Sequence, residues 1–144
     1  MRITRALTLG LSLAMVLGAG GCGGPRSIDY ARVYPPAMPQ SETLDVQVYR
    51  SGTHIELTNT TARSFGPSTL WINQRFSYPI EGFAPGESLR ISLKEFIDEF
   101  GDPFRAGGFF ATRQPNLVVL TQIETGPEDG GQMLGFITVG NRID

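Results

Sequence analysis

Four carboxylates close together are the densest group of residues in this chain that could do chemistry: Glu95, Asp98, Glu99 and Asp102. Paired carboxylates can act as acid and base in hydrolysis. The apolar residues among them recur at helical spacing, however, and this places the carboxylates on the opposite, solvated face of a helix. General acid–base catalysis needs an enclosed group with a perturbed pKa. We therefore expect no catalytic role for these residues, and a hydrolase that uses them is the alternative.

Other catalytic and metal-binding patterns are equally sparse. His54 is the only histidine, and it lies beside a predicted turn. A zinc site would have to be built almost wholly from carboxylates, which suits zinc poorly. Glu124, Glu128 and Asp129 offer oxygen ligands, but their spacing matches no calcium loop. The sequence therefore predicts a protein that is not an enzyme and holds neither a metal nor a cofactor.

Aromatic residues give the strongest indication of binding. Five of them exceed what a small core must hold: Trp71, Tyr78, Phe83, Phe109 and Phe110. An exposed aromatic patch marks a surface for a partner. The alternative is that most of these side chains are buried, as apolar residues usually are.

The first 22 residues form a separate unit. Arg2 and Arg5 precede an uncharged apolar run from Ala6 to Leu17, and small residues lead to Cys22. This layout is typical of a secretory signal, so residues 1–21 are predicted to be removed. A spanning helix needs about 20 apolar residues, and this run is shorter. Cys22 is the only cysteine of an exported chain, and it has no partner for a disulfide.

The run Ala19-Gly20-Gly21-Cys22 resembles the cleavage box of bacterial lipoprotein precursors, although that family more often carries Leu at the position of Ala19. The resemblance implies that Cys22 is diacylated and anchors the protein to the membrane of the cell envelope. Because Gly23 replaces the Asp that often retains such proteins at the inner membrane, it also implies the outer membrane in a host with two. An ordinary cleaved signal with a coincidental cysteine is the alternative.

Charge and length limit the remaining possibilities. Without residues 1–21, 123 residues remain, with 10 basic and 14 acidic side chains and a net charge of −4. One domain and a tether fit this length. Nucleic-acid binding needs a basic face, which this balance does not favour. The 18 glycines and 10 prolines favour short strands over long helices.

Residues 22–43 show no strand or helix period and contain four prolines, which predicts a flexible tether. In an extended conformation it could lift a domain by roughly 60 Å. Four of its residues are more apolar than a spacer needs, and we expect them to dock on the domain or on a partner: Ile28, Tyr30, Val33 and Tyr34.

Residues 44–144 are predicted to be one all-β domain. Leu44 to Tyr49 and His54 to Thr58 alternate as a hairpin. Further strands are predicted at 68–74, 76–80, 89–93, 117–123 and 132–139, with 117–123 in the centre. About seven strands at this spacing predict an antiparallel β-sandwich.

Residues 44–93 also resemble bacterial immunoglobulin-like and FxLYD-type envelope modules, through Ile55-Glu56-Leu57-Thr58-Asn59-Thr60, Leu70-Trp71-Ile72-Asn73 and Ala84-Pro85-Gly86-Glu87-Ser88-Leu89. The resemblance implies a sandwich and no activity.

One short helix is predicted near residues 93–100. Ser92-Leu93-Lys94-Glu95 has the spacing of a capping box, and Gly101 is placed to end the helix. Taken together, the sequence predicts a membrane-anchored, non-catalytic binding or accessory module, and a purely structural spacer is a further alternative.

Overall fold

The computed structural model describes residues 30–142, so the signal segment and Cys22 lie outside the described residues. Seven strands form, and burial alternates along the first two because each turns one side towards the core. The strands are β1 (Gln40–Ser51), β2 (His54–Thr58), β3 (Ser68–Ile72), β4 (Phe76–Ile80), β5 (Ser88–Ser92), β6 (Thr121–Glu124) and β7 (Met133–Arg142).

The seven strands form one mixed sheet in the order β4-β3-β6-β7-β1-β2-β5, which curves into a half-barrel. The predicted all-β class and strand number are confirmed, but two packed antiparallel sheets are not. β1 and β7 pair in parallel, with Val48 opposite Thr138. The two strands are separated by most of the domain, so no short hairpin forces them to run antiparallel.

The core fills the inside of the half-barrel. Leu44, Val46 and Val48 of β1 point inward, as their alternation predicts. Large aromatic side chains fill much of this interior. Phe76 contacts Phe104 edge to face, with ring centroids 5.1 Å apart. Aromatic rings fill much space per residue, which suits a curved sheet with few inward positions on each short strand.

The helix predicted near residues 93–100 does not form. Only Leu93–Glu95 adopts a 3₁₀ turn, Ser92 makes no side-chain cap, and Phe96 is already extended. The backbone of Ile97 exchanges hydrogen bonds with that of Ser77 on the outer edge of β4. The sheet edge thus satisfies the groups that a helix would have paired internally. Phe96 is buried and Phe100 is 79% exposed, whereas a helix would have placed them on one face.

One predicted strand is shorter than expected. The run 117–123 was expected to be one strand, but β6 begins only at Thr121, and Leu117 and Val119 are exposed. The chain between Phe104 and β6 forms a loop. The part of 117–123 that is a strand does lie inside the sheet, between β3 and β7.

Asn73 explains why the strand starts late. The β3–β4 hairpin turns at Asn73 and Gln74, both with positive φ, and the amide of Arg75 donates to the carbonyl of Ile72. Asn tolerates this left-handed conformation better than most residues. The Asn73 side chain then takes the place of a neighbouring strand: it accepts from the amides of Val119 and Leu120, and it donates to the carbonyl of Leu117.

Candidate functional site

The five aromatic residues selected from the sequence do not form a single patch. Trp71 and Phe83 are fully buried, and Tyr78 is half-buried. Phe109 and Phe110 are 96% and 90% exposed and contact each other edge to face, with ring centroids 5.0 Å apart. Two large adjacent rings left in water forgo the hydrophobic free energy that burial of their apolar surface would provide. The candidate site is therefore this Phe pair.

The Phe pair lies at the tip of a closed loop, residues 105–116. The amide of Asn116 donates to the carbonyl of Arg105 at 2.9 Å and brings the two ends of the loop together. At the tip, the amide of Ala111 donates to the carbonyl of Gly108, so Phe109 and Phe110 are the two central residues of a turn. Such positions usually carry Gly, Pro, Asn, Asp or Ser, which makes a Phe pair unusual there.

Gly107 and Gly108 allow the backbone to enter this turn. Their φ angles are 82° and 117°, in a region of positive φ that residues with a Cβ rarely adopt. At Gly107 an added Cβ would also lie 3.0 Å from the Cβ of Pro115. The two glycines therefore let the loop fold back sharply and project the Phe pair from the domain.

Arg50 holds the base of the loop. Its charged side chain is buried, because Arg50 lies on β1 at a position that continues the inward alternation of Val46 and Val48. Its guanidinium donates to the carbonyl of Ala106 at 2.7 Å, to that of Asn116, and to that of Gly52 at 3.0 Å. Burial lowers the pKa of Arg50 from its ordinary value. Three carbonyl contacts fix the loop to the β1–β2 turn, because the planar guanidinium presents its donors in a rigid fork.

Exposed apolar side chains continue away from the loop. Leu117 and Val119 follow it directly, and the Asn73 side chain ties their backbone to the β3–β4 turn. Phe100 lies on the neighbouring loop, which the Arg75–Asp98 ion pair ties to the same turn. We call these residues the apolar end: Phe100, Phe109, Phe110, Leu117 and Val119.

The four carboxylates are not arranged as a catalytic cluster. Asp98 is buried, Glu95 is half-buried, and Glu99 and Asp102 are exposed. The expectation that all four lie on a solvated face is therefore wrong for Asp98. Both of its oxygens are engaged: Oδ1 accepts from the amides of Phe100 and Asp102, and Oδ2 accepts from Arg75 at 2.8 Å. Asp98 organises a loop whose backbone would otherwise lack partners.

The ionisation of Asp98 reflects the same contacts. Burial by itself would raise the pKa of this carboxyl. The hydrogen bonds from Arg75 and from the amides of Asp102 and Phe100 stabilise the carboxylate and outweigh burial, so that the pKa lies below its ordinary value. The charge of Asp98 therefore contributes to stability.

Replacing Asp98 with Asn should lower the free energy of unfolding by about 2 kcal/mol at neutral pH, because hydrogen bonds to a charged acceptor are lost. Since the folded pKa is below the unfolded one, the contribution of Asp98 is complete above the unfolded value. It disappears as the pH falls through the folded pKa. The difference between the two proteins should shrink below about pH 4.

Urea unfolding at a series of pH values measures this difference. Asp102→Asn is the matched control, because the Asp102 side chain is exposed and the loop uses its backbone. A gap between Asp98→Asn and the native protein that persists undiminished well below the unfolded pKa would contradict the ionised role of Asp98.

The remaining candidates have ordinary structural surroundings. His54 Nδ1 lies 3.2 Å from the hydroxyl of Thr53. Glu124 is bound by Trp71 and Arg32, whereas Asp129 accepts from the amide of Gly66. Within residues 30–142, no group of three or more His, Cys, Asp or Glu side chains could hold a metal ion.

Trp71 is buried on the outer side of the sheet, opposite the core. Leu70 and Ile72 on either side of it point into the core, while Trp71 is covered by the chain that precedes β1. Tyr34 packs edge to face on its ring at 5.2 Å, and the Arg32 guanidinium lies 5.6 Å from the ring centroid. The indole donates to Glu124, which also pairs with Arg32 at 2.8 Å.

The docked segment begins at Tyr30, the first described residue. Its hydroxyl donates to the carbonyl of Glu95 at 2.7 Å, and its ring meets that of Tyr78. The expectation that Tyr30 and Tyr34 dock on the domain is thus met, whereas Val33 is 64% exposed and Ile28 lies outside the described residues. The chain from Tyr30 onward is not a free spacer, so the reach of roughly 60 Å expected for a tether ending at residue 43 is too long.

Sequence reasoning missed Arg50 and Asn73. The one available signal for Arg50 was its place in the inward alternation of β1, where a charged residue needs buried acceptors. The signal for Asn73 was Asn followed by Gln between two alternating runs, a short hairpin pattern without the usual Gly.

The chain matches no protein-family model, no curated protein and no solved structure. Among the residues that the structure describes, no helix combines the length and apolar character needed to cross a bilayer.

Proposed function

We propose that this protein is a lipid-anchored lipoprotein of the cell envelope whose β domain is a non-catalytic binding or accessory module. The observation that carries the binding role is the Phe109–Phe110 pair, two almost fully exposed rings on a loop whose base is fixed by Arg50. A purely structural spacer needs no exposed apolar surface. A binding module gains from it, because exposed apolar surface held in place loses little freedom on association.

The anchoring role is supported by the sequence around Cys22 and by the position of Tyr30. Tyr30 lies eight positions after Cys22 in the sequence. A fully extended chain of that length spans at most about 28 Å. Two acyl chains on Cys22 would hold the docked domain close to the membrane surface. With Gly23 after the cysteine, we place the anchor in the outer membrane of a host with two membranes.

The hydrolase alternative has little support from the site. Its buried carboxylate, Asp98, already accepts hydrogen bonds at both oxygens. A general base must instead be free to reach a substrate or a water molecule.

The test is the intact mass of the protein purified from cell membranes. We expect a chain that begins at Cys22 and carries the added mass of acyl chains. Cys22→Ala should lose that mass and leave the membrane fraction, while the neighbouring control Ser27→Ala should keep both properties. An unmodified N-terminus in the native protein, or tight membrane retention of Cys22→Ala, would overturn the anchoring proposal.

A further inference from the structure

We propose that the apolar end of the domain inserts into the surface of the lipid bilayer, so that the membrane itself is the partner of the Phe109–Phe110 loop. This inference rests on the proposed function, since it takes the bilayer to be the one that carries the Cys22 anchor. The apolar end would then fix the orientation of the domain, and the acyl chains would supply most of the attachment.

The topology gathers the apolar end at one end of the half-barrel. β1 finishes at the β1–β2 turn, to which Arg50 ties the Phe109–Phe110 loop. β7 runs parallel to β1, β6 runs antiparallel to β7, and β3 runs antiparallel to β6. β3 therefore ends at the same end of the sheet as β1, and the β3–β4 turn lies there. Asn73 in that turn holds the backbone of Leu117 and Val119. The Phe109–Phe110 pair, Leu117 and Val119 thus lie at one end of the half-barrel. Phe100 lies there too, because the Arg75–Asp98 ion pair ties its loop to the β3–β4 turn.

Shape favours a lipid surface over a folded partner. Phe109 and Phe110 project from a turn as convex points with little of their surface covered by the domain. Protein interfaces gain most from anchors that fit a pocket in well-packed surroundings. A fluid interface needs no matching pocket, and aromatic rings are favoured at the depth of the headgroups.

The distribution of charged side chains also favours contact between the apolar end and the bilayer. The opposite end of the half-barrel carries exposed acidic residues: Glu42, Glu81, Glu87, Glu128 and Asp129. Two exposed basic residues lie near them: Arg63, which pairs with Glu42, and Arg32, which pairs with Glu124 at the end of β6. At the apolar end, the Phe109–Phe110 loop carries exposed Arg105 and Arg113, while Glu99 and Asp102 flank Phe100. An anionic lipid surface repels the acidic end more strongly, so the domain should meet it with the apolar end.

The anchor is close enough for this contact. Tyr30 docks beside Tyr78, the middle residue of β4, two residues from Phe76 next to the β3–β4 turn. Two strand residues correspond to about 7 Å. From Tyr30 to Cys22 the chain takes eight residue steps, which span up to about 28 Å. The apolar end can therefore reach the bilayer while the anchor remains in it.

Tryptophan introduced at the loop tip provides a direct test. The full-length protein, purified from membranes, is reconstituted into vesicles of phosphatidylethanolamine and phosphatidylglycerol that contain brominated acyl chains. Native Trp71 is buried and supplies the baseline. We expect the added fluorescence of Phe110→Trp to be quenched by about half, as for a ring at the depth of the headgroups and upper acyl chains. Glu128→Trp, at the opposite end, should not be quenched above the native baseline.

A second measurement removes the anchor. Cys22→Ala protein should still bind such vesicles weakly, and adding Phe109→Ser and Phe110→Ser should reduce the bound fraction about tenfold. Val33→Ser is the matched control, because Val33 is also an exposed apolar residue but lies on the docked N-terminal segment.

The outcomes separate this inference from the proposed function. If the protein floats with the vesicles but the tryptophan at position 110 is not quenched, the apolar end does not meet lipid, and the anchoring proposal stands. Equal quenching at positions 110 and 128 would overturn the orientation. If Cys22 carries no acyl chains and position 110 is still quenched, the anchoring proposal fails and the contact of the loop with lipid stands.

Discussion

Replacing Arg50 with methionine should lower the free energy of unfolding by about 3 kcal/mol, because it leaves carbonyls at the base of the loop without their donor. Methionine retains most of the apolar stem of arginine, so the loss reports mainly the hydrogen bonds to Gly52, Ala106 and Asn116. Arg50→Lys should recover only part of the loss, since one ammonium cannot reach three carbonyls in the geometry of the guanidinium fork.

Urea unfolding followed by circular dichroism measures the loss, and limited proteolysis reports the loop. The 105–116 loop should become the first site of cleavage in Arg50→Met, because the guanidinium no longer ties the base of the loop to the β1–β2 turn. Arg90→Met is the matched control: Arg90 is exposed on β5 and pairs with Glu56 at 3.0 Å. Such surface pairs contribute about 0–1 kcal/mol. Equal losses in Arg50→Met and Arg90→Met would refute the loop-holding role.

Tyr34→Ala should expose Trp71, the only tryptophan, to solvent quenchers. Tyr34 covers the Trp71 ring edge to face and also donates its hydroxyl to Gln122 at 3.1 Å. Losing a half-buried aromatic contact and its hydrogen bond should destabilise the protein by about 2 kcal/mol. The same change should loosen the docked segment and raise acrylamide quenching of Trp71 several-fold, with a shift of its emission to longer wavelength.

Val33→Ala is the control for this experiment, because it alters the neighbouring residue of the same segment without touching the covered ring. Its quenching should equal that of the native protein. If Tyr34→Ala leaves Trp71 as protected as before, then Tyr34 is not what shields the outer face of β3, and the distance from Cys22 to the domain must be reconsidered. The short reach of the anchor depends on this docking.

The local patterns that the sequence predicted well are those decided by alternation. Leu44, Val46 and Val48 were expected inside, and they are, because a one-residue shift would turn the whole set to solvent. Pro79 cannot donate to a strand ladder, and β4, the strand that contains it, lies at the edge of the sheet. The β1–β2 hairpin also forms as its turn residues predict.

The helix near residues 93–100 shows where local reasoning failed. The capping box and the spacing of the Phe residues agreed with each other, but a helix this short contributes little by itself. The edge of β4 offered Ile97 backbone hydrogen bonds, and the core offered Phe96 a place. A contact between residues 20 positions apart therefore overrode two consistent local signals.

By itself, the sequence determined the all-β class and most of the strands, because these depend on composition and on neighbours within a few residues. The tertiary structure decided the parallel pairing of β1 with β7, the docking of Tyr34 on Trp71 and the burial of Asp98 and Arg50. It also decided that Phe109 and Phe110 are exposed while Trp71 and Phe83 are buried. These features depend on which distant segments meet, and a hydrophobic side chain carries no local signal of whether another part of the chain will cover it.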